Sequence, residues 1–234
     1  MASLATFMAT VFDQQQPSQL KVADLAVGSG NLLFAVMNQL HKERDVTVKG
    51  YGVDNDEALL AVAGMSSSLQ HLDVELFHQD ALDGLLFKDI DVVVSDLPVG
   101  YYPVDERAKK FATAAKKGHS YAHHLLIEQS MKVLKPGGLG MFYVPSRVFQ
   151  SEEAAGLTAW LAEKTYFQGL LNLPDDFFAD KQAEKSLLIL QKPSPDVKRA
   201  KQVLLGQFPN LNDREAFAAF IAKVKDWAAA NIAQ

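Results

Sequence analysis

The chain has 234 residues, no cysteine, 48% hydrophobic and 22% charged residues, and a formal charge of −5 at pH 7. Disulfides and thiolate metal sites are thereby excluded, and so is a surface that is basic all over, though not a local basic groove. No apolar run is long enough to span a bilayer and no basic segment leads into an apolar one, so a cytoplasmic protein is expected, one α/β domain with a small appendage.

Residues 3–12 carry Leu4, Phe7, Met8 and Phe12 on one helical face, with Ser3 as N-cap. A polar linker with Pro17 follows. Because the chain begins almost directly on that helix, an upstream segment is expected to be missing. Val22, Leu25 and Val27 then form a short buried strand, Gly28 and Gly30 a tight turn, and Asn31 opens a helix with Leu32, Leu33, Val36, Met37 and Leu40 on one face. Such a unit presents free N–H groups at the carboxyl edge of a sheet, where open α/β folds bind nucleotide-like ligands. Strands are read over 46–53, 74–78 and 90–95, with a helix over 56–69; the last strand is a β-branched run of Ile90, Val92, Val93 and Val94, as in a strand covered on both faces.

Residues 107–118 are polar and basic, with Arg107, Lys109, Lys110, Lys116 and Lys117. A helix over 121–133 stops at a Lys135-Pro136-Gly137-Gly138 turn, followed by a strand over 139–144 and a helix over 152–164. Two late strands, 166–173 and 186–191, are separated only by a polar loop holding Phe177 and Phe178. Residues 203–205 read as a further short strand and 213–232 as an amphipathic helix capped by Asp213. The domain division is 1–194, then a C-terminal extension over 195–234. Alternating strands and helices predict a parallel sheet covered on both faces, and the late pair predicts an antiparallel strand entering it.

Asp24, Asp54, Asp80 and Asp96 all fall at or just after strand ends. Any one of them alone reads as a helix cap or turn residue; four on one rim mark a ligand edge. Asp54 stands at the spacing from the glycines of a group that bonds ribose hydroxyls. Asp80 either accepts from an exocyclic amine or ends its strand. Leu33 occupies the position that a dinucleotide fingerprint reserves for a small residue, and Asp24 lies where a pyrophosphate would be repelled. An acid there favours a cationic ligand, and S-adenosylmethionine, with a sulfonium and an ammonium, fits better than NAD. His123 and His124 point about 100° apart on a helix, so no shared metal is expected.

The segments DLAVGSGNL, GVD, HQDAL, SDLPVGYYP, HHLLIEQS, KPGG and LPDDFF…SLLILQK resemble class I S-adenosylmethionine-dependent methyltransferases. Within that class the chain is similar to the N6-adenine-specific DNA methyltransferases, over residues 4–192. The resemblance implies a Rossmann-like α/β fold: a mostly parallel sheet of about seven strands, the last antiparallel, with helices on both faces. It implies S-adenosylmethionine held by Asp24, Ala26, Gly28, Ser29 and Gly30, with Asn31 and Leu32 following. Asp54 would bind ribose, Asn55 would flank the adenine ring, and Asp80 with Ala81 would read the cofactor adenine.

Asp96, Leu97 and Pro98 occupy the catalytic motif, whose family form is Asp/Asn-Pro-Pro-aromatic. The acidic or amide side chain and the next carbonyl accept from the target amino group and aim its lone pair at the methyl. The aromatic residue stacks on a base taken out of its duplex. Here Leu97 replaces the first proline, and Val99 the aromatic, which forfeits stacking of ~1–3 kcal/mol per base. Tyr101 and Tyr102 are the candidate substitutes, and Lys109 and Lys110 the candidate phosphate contacts. A nucleic-acid partner is implied, DNA over RNA. A cofactor-binding protein acting through partners and a dinucleotide oxidoreductase are the competing readings; Leu33 and Asp24 count against the second.

Overall fold

In the computed structural model, which describes residues 2–12, 19–43, 46–151, 153–180 and 183–232, strands β1 (Gln19–Asp24), β2 (Thr47–Asp54), β3 (Val74–His78), β4 (Ile90–Asp96), β5 (Leu134–Pro145), β6 (Tyr166–Asn172), β7 (Lys185–Gln191) and β8 (Leu204–Gln207) form one sheet. Its order is β3-β2-β1-β4-β5-β7-β6-β8. All pairings are parallel except those of β7, which runs antiparallel to both β5 and β6. The antiparallel late strand is therefore present, and an eighth strand is added to the sheet beside β6.

The alternation of side chains along each strand divides the apolar residues between two faces. Val92 and Val94 of β4 and Met141 of β5 point into one core, with Leu33, Met37 and Phe7 from α2 (Asn31–Glu43) and α1 (Ala2–Phe12). Val93 and Phe142 point into the other, with Leu125 and Ile127 of α5 (Ala122–Val133) and Leu157 and Leu161 of α6 (Ala154–Lys164). Burial on both sides is what the consecutive Val92, Val93 and Val94 of β4 require. The helix α7 (Arg214–Asn231) joins the first core through Val224 and Ala228, and Asp213 caps it by accepting from Ala216 N at 3.0 Å. Among the described residues no helix is long and apolar enough to cross a membrane.

Two local expectations change, and two lie outside the described residues. The helix α1 starts at Ala2, so Ser3 lies inside it and not at its cap. The Pro17 linker and the expected helix start at Glu152 fall outside the described residues. Lys135–Gly138 does not separate helix from strand. β5 begins directly at Leu134, which pairs with Ile90, and the next pairing is Leu139 with Val92. The intervening residues form a bulge, with Gly137 at φ +80° and its N–H donating to Lys192 O at 2.9 Å.

Candidate active site

The turn after β1 is built by its glycines. Gly28 and Gly30 have φ of +52° and +84°, a region that disfavours a Cβ, and a Cβ on Gly30 would stand 2.2 Å from the Phe34 ring. Gly28 N–H donates to Asp54 Oδ2 at 2.7 Å, and Asp54 Oδ1 accepts from Asp56 N at 3.0 Å. Asp54 thus ties the glycine turn to the end of β2. Its neighbour Asp56 caps α3 (Glu57–Leu69), accepting from Leu59 N at 3.0 Å.

Asp24 is buried at the end of β1. Its Oδ1 accepts from Ser95 Oγ at 2.6 Å and from Ala26 N at 3.0 Å. Burial pushes this carboxyl up to about 7, against those two hydrogen bonds and with added repulsion from Asp96 and Asp54. No cation pairs with it among the described residues.

Beside this turn opens a cavity of about 430 Å³, a size suited to a small-molecule ligand. Ala26, Asp54, Asn55, Asp80, Ala81, Pro98, Tyr101 and Tyr102 are among the residues that line it. The structure thus brings eight of the sequence-predicted site residues to one cavity. Gly28, Ser29, Gly30 and Asn31, in the turn and at the start of α2, do not line it, and neither do Asp24 and Asp96. Leu32 and Leu97 are buried in the two cores, so only their backbones could meet a ligand.

Asp80 is more heavily engaged than a free reader of adenine would be. Its Oδ1 accepts from Leu82 N at 2.9 Å, and its Oδ2 accepts from both Tyr102 OH and the Arg107 guanidinium. Arg107 follows from α4 (Asp105–Ala108) and also reaches Asp83 at 3.0 Å. The bonds among these groups raise Arg107, and burial with the Asp80 hydrogen bond raises Tyr102. Tyr102 is only 8% exposed, so its ring is not offered to a base. Tyr101 is, at 55% exposure, stacked on Tyr121 with centroids 4.7 Å apart. The Tyr101 hydroxyl pushes that of Tyr121 up to about 12.

The motif residue Asp96 ends β4, and Leu97 N donates to Tyr143 O at 3.1 Å. The buried His123 ring lies near the Pro98 backbone. Val99 is 66% exposed. Lys109 is ion-paired with Glu106, and Lys110 is exposed. Two partners of the rim are invisible in the sequence. Lys185 at the start of β7 pairs with Asp96, 89 residues away in the chain, and Ser95 donates to Asp24. Only the alternation of β4 hinted that Ser95 and Asp96 face different sides. Arg107 stood out as part of a basic run, but it is spent on Asp80 and Asp83.

A methionine-derived cation, a ribose and an adenine fit these residues. Among the described residues the buried Asp24 has no counter-cation, Asp54 keeps lone pairs at the cavity, and the glycine turn gives close backbone approach. Among the described residues no cluster of three His, Asp or Glu could hold a metal.

The sheet order with its single reversed strand is the Rossmann-like methyltransferase fold. A Listeria monocytogenes protein provisionally assigned to the class I S-adenosylmethionine-dependent methyltransferases superposes with a TM-score of 0.89 at 40% identity, over 97% of this chain and 70% of that one. The N-6 DNA Methylase family model matches residues 2–228, and the chain belongs to that family. The uncharacterized YtxK of Bacillus subtilis is 41% identical over 209 residues, 89% of this chain and 63% of that protein. The methylase subunit of the MpnII type I restriction enzyme of Mycoplasma pneumoniae is 24% identical over 73% of this chain and 35% of its own length. The chain thus spans less than two thirds of either curated relative. The cofactor that family membership implies is S-adenosylmethionine.

Proposed function

We propose that the chain carries out S-adenosylmethionine-dependent methylation of the N6 amino group of adenine in DNA. The observation that carries this reading is the shared cavity. The Asp54–Asn55 and Asp80–Ala81 pairs line it together with Pro98 of the Asp96-Leu97-Pro98 segment. Asp24 would seat the positive methionine end, Asp54 the ribose, and Asn55 with Ala81 the adenine ring. When bound, the cofactor supplies an electrophilic methyl group. Asp96 and the Leu97 carbonyl would accept from the target amino group and hold its lone pair in line, which is positioning and electrostatics. Tyr101 would offer the aromatic face that Val99 lacks, and Lys109 and Lys110 would meet phosphates. Membership of the N-6 DNA methylase family supports DNA, and the Mycoplasma relative, a subunit of a restriction enzyme, supports work alongside partner chains. Such chemistry belongs in the cytoplasm.

A second reading, a cofactor-binding protein with little catalysis, is favoured by Val99 in the stacking position. Transfer of labelled methyl to DNA, RNA and protein pools separates the two. The expected result is N6-methyladenine in DNA, lost in Asp96→Ala. Equal labelling by Asp96→Ala, or none by wild type that binds the cofactor, would reverse the preference.

A further inference from the structure

The Lys185 ammonium bonds Asp96 Oδ1. Exposed ion pairs contribute little, but this one is partly shielded: the side chains are 23% and 47% exposed. The backbone of Lys185 is fixed. It pairs with Pro145 of β5, and its carbonyl accepts from Leu173 N at 3.0 Å. The same rim crowds carboxyl groups, since Asp96 and Asp54 both act repulsively on Asp24. Among the described residues Lys185 is the cation bonded to Asp96.

We infer that Lys185 is a positioning residue for methyl transfer to an amino group, its ammonium holding one oxygen of Asp96 so that the other is presented to the incoming nitrogen. The inference rests on the reading of Asp96 given above. The reacting nitrogen forms its N–C bond as the S–C bond breaks, and afterwards sheds a proton to water. Throughout, it needs an acceptor that keeps its lone pair aimed and does not have to take the proton. A neutral amide meets that need, and so does a carboxylate already bonded to an ammonium. Without Lys185, the Asp96 carboxylate is free to rotate and stands uncompensated near its acidic neighbours.

The test compares two ligands. Sinefungin carries an ammonium on carbon where the cofactor carries S–CH3, whereas S-adenosylhomocysteine is a neutral thioether there. Calorimetry on wild type and Lys185→Met should show the preference for sinefungin over S-adenosylhomocysteine rising about tenfold once the competing ammonium is gone. Lys185→Arg should restore the wild-type ratio, and Asp96→Asn should lower it. Methyl transfer by Lys185→Met should lose kcat by about 10- to 100-fold, with KM for the cofactor little changed. Lys185→Gln repeats the comparison if thermal unfolding shows that the Met variant does not fold. An unchanged ligand ratio in a folded variant would overturn the inference alone. Failure of both ligands to bind wild type would overturn the cofactor reading beneath it, and this inference with it.

Discussion

The proton on Asp24 sits near neutrality because burial opposes its charge, lifting it from 3.8 to about 7. Two consequences follow with definite signs. Between pH 4 and 7 the folded chain holds a proton that the unfolded chain has lost, so Asp24 lowers stability as pH rises through that window. A cationic ligand favours the ionised form, so cofactor affinity should rise as pH increases through about 7, and binding near pH 6 should release close to one proton. Calorimetry in buffers of differing ionisation enthalpy measures that release. In Asp24→Asn it should vanish, and the affinity should become weak and flat with pH. Asp24 and Asp54 were legible in the sequence because a strand end and a glycine turn fix their places locally. Lys185 and Arg107 were not, because their partners lie 89 and 27 residues away and only tertiary pairing brings them together. The choice between Tyr101 and Tyr102 was likewise a matter of which ring the rim buries.

The helix α5 carries a second titration. His123 and His124 are both buried, with Nδ1 of the first and Nε2 of the second unpartnered. Burial lowers them from 6.5 to about 3 and about 4, in His123 with help from its neighbour's charge. Each is neutral in the fold, while the unfolded chain binds protons below about 6.5, so stability falls as pH drops from there toward 4. Asp24 acts in the opposite direction over the same range, but equally in any α5 variant. Urea unfolding of His124→Leu should therefore lose about 2 kcal/mol less than wild type between pH 7 and pH 5. A loss equal to that of wild type would mean that this ring is not kept neutral by burial. At this scale the sequence located the elements through their apolar periods. It misread the Lys135–Gly138 stretch, since a Pro-Gly-Gly run marks a turn and a β-bulge equally well.

At the scale of the molecule, one core is closed by elements from the two halves of the chain. Phe7 of α1 is fully buried and meets Phe208 and Phe220 at centroid distances of 4.9 and 5.9 Å. Phe7→Ala should cost about 3–5 kcal/mol in urea unfolding, the range for an aromatic ring removed from a packed core. The sheet was legible as a class because alternation of strands and helices admits few topologies. The eighth strand, read over 203–205, runs from Leu204 to Gln207, but its place beside β6 is set by tertiary pairing that no local pattern declares. The reversal of β7 has one more consequence. Where strands run parallel, only their last residues reach the rim that holds Asp24, Asp54 and Asp96. A strand laid the other way brings its first residue there instead, as the pairing of Lys185 with Pro145 records. Had β7 followed the direction of its neighbours, that place would fall to its other end, at Gln191, and the rim would hold an amide where it now holds a cation.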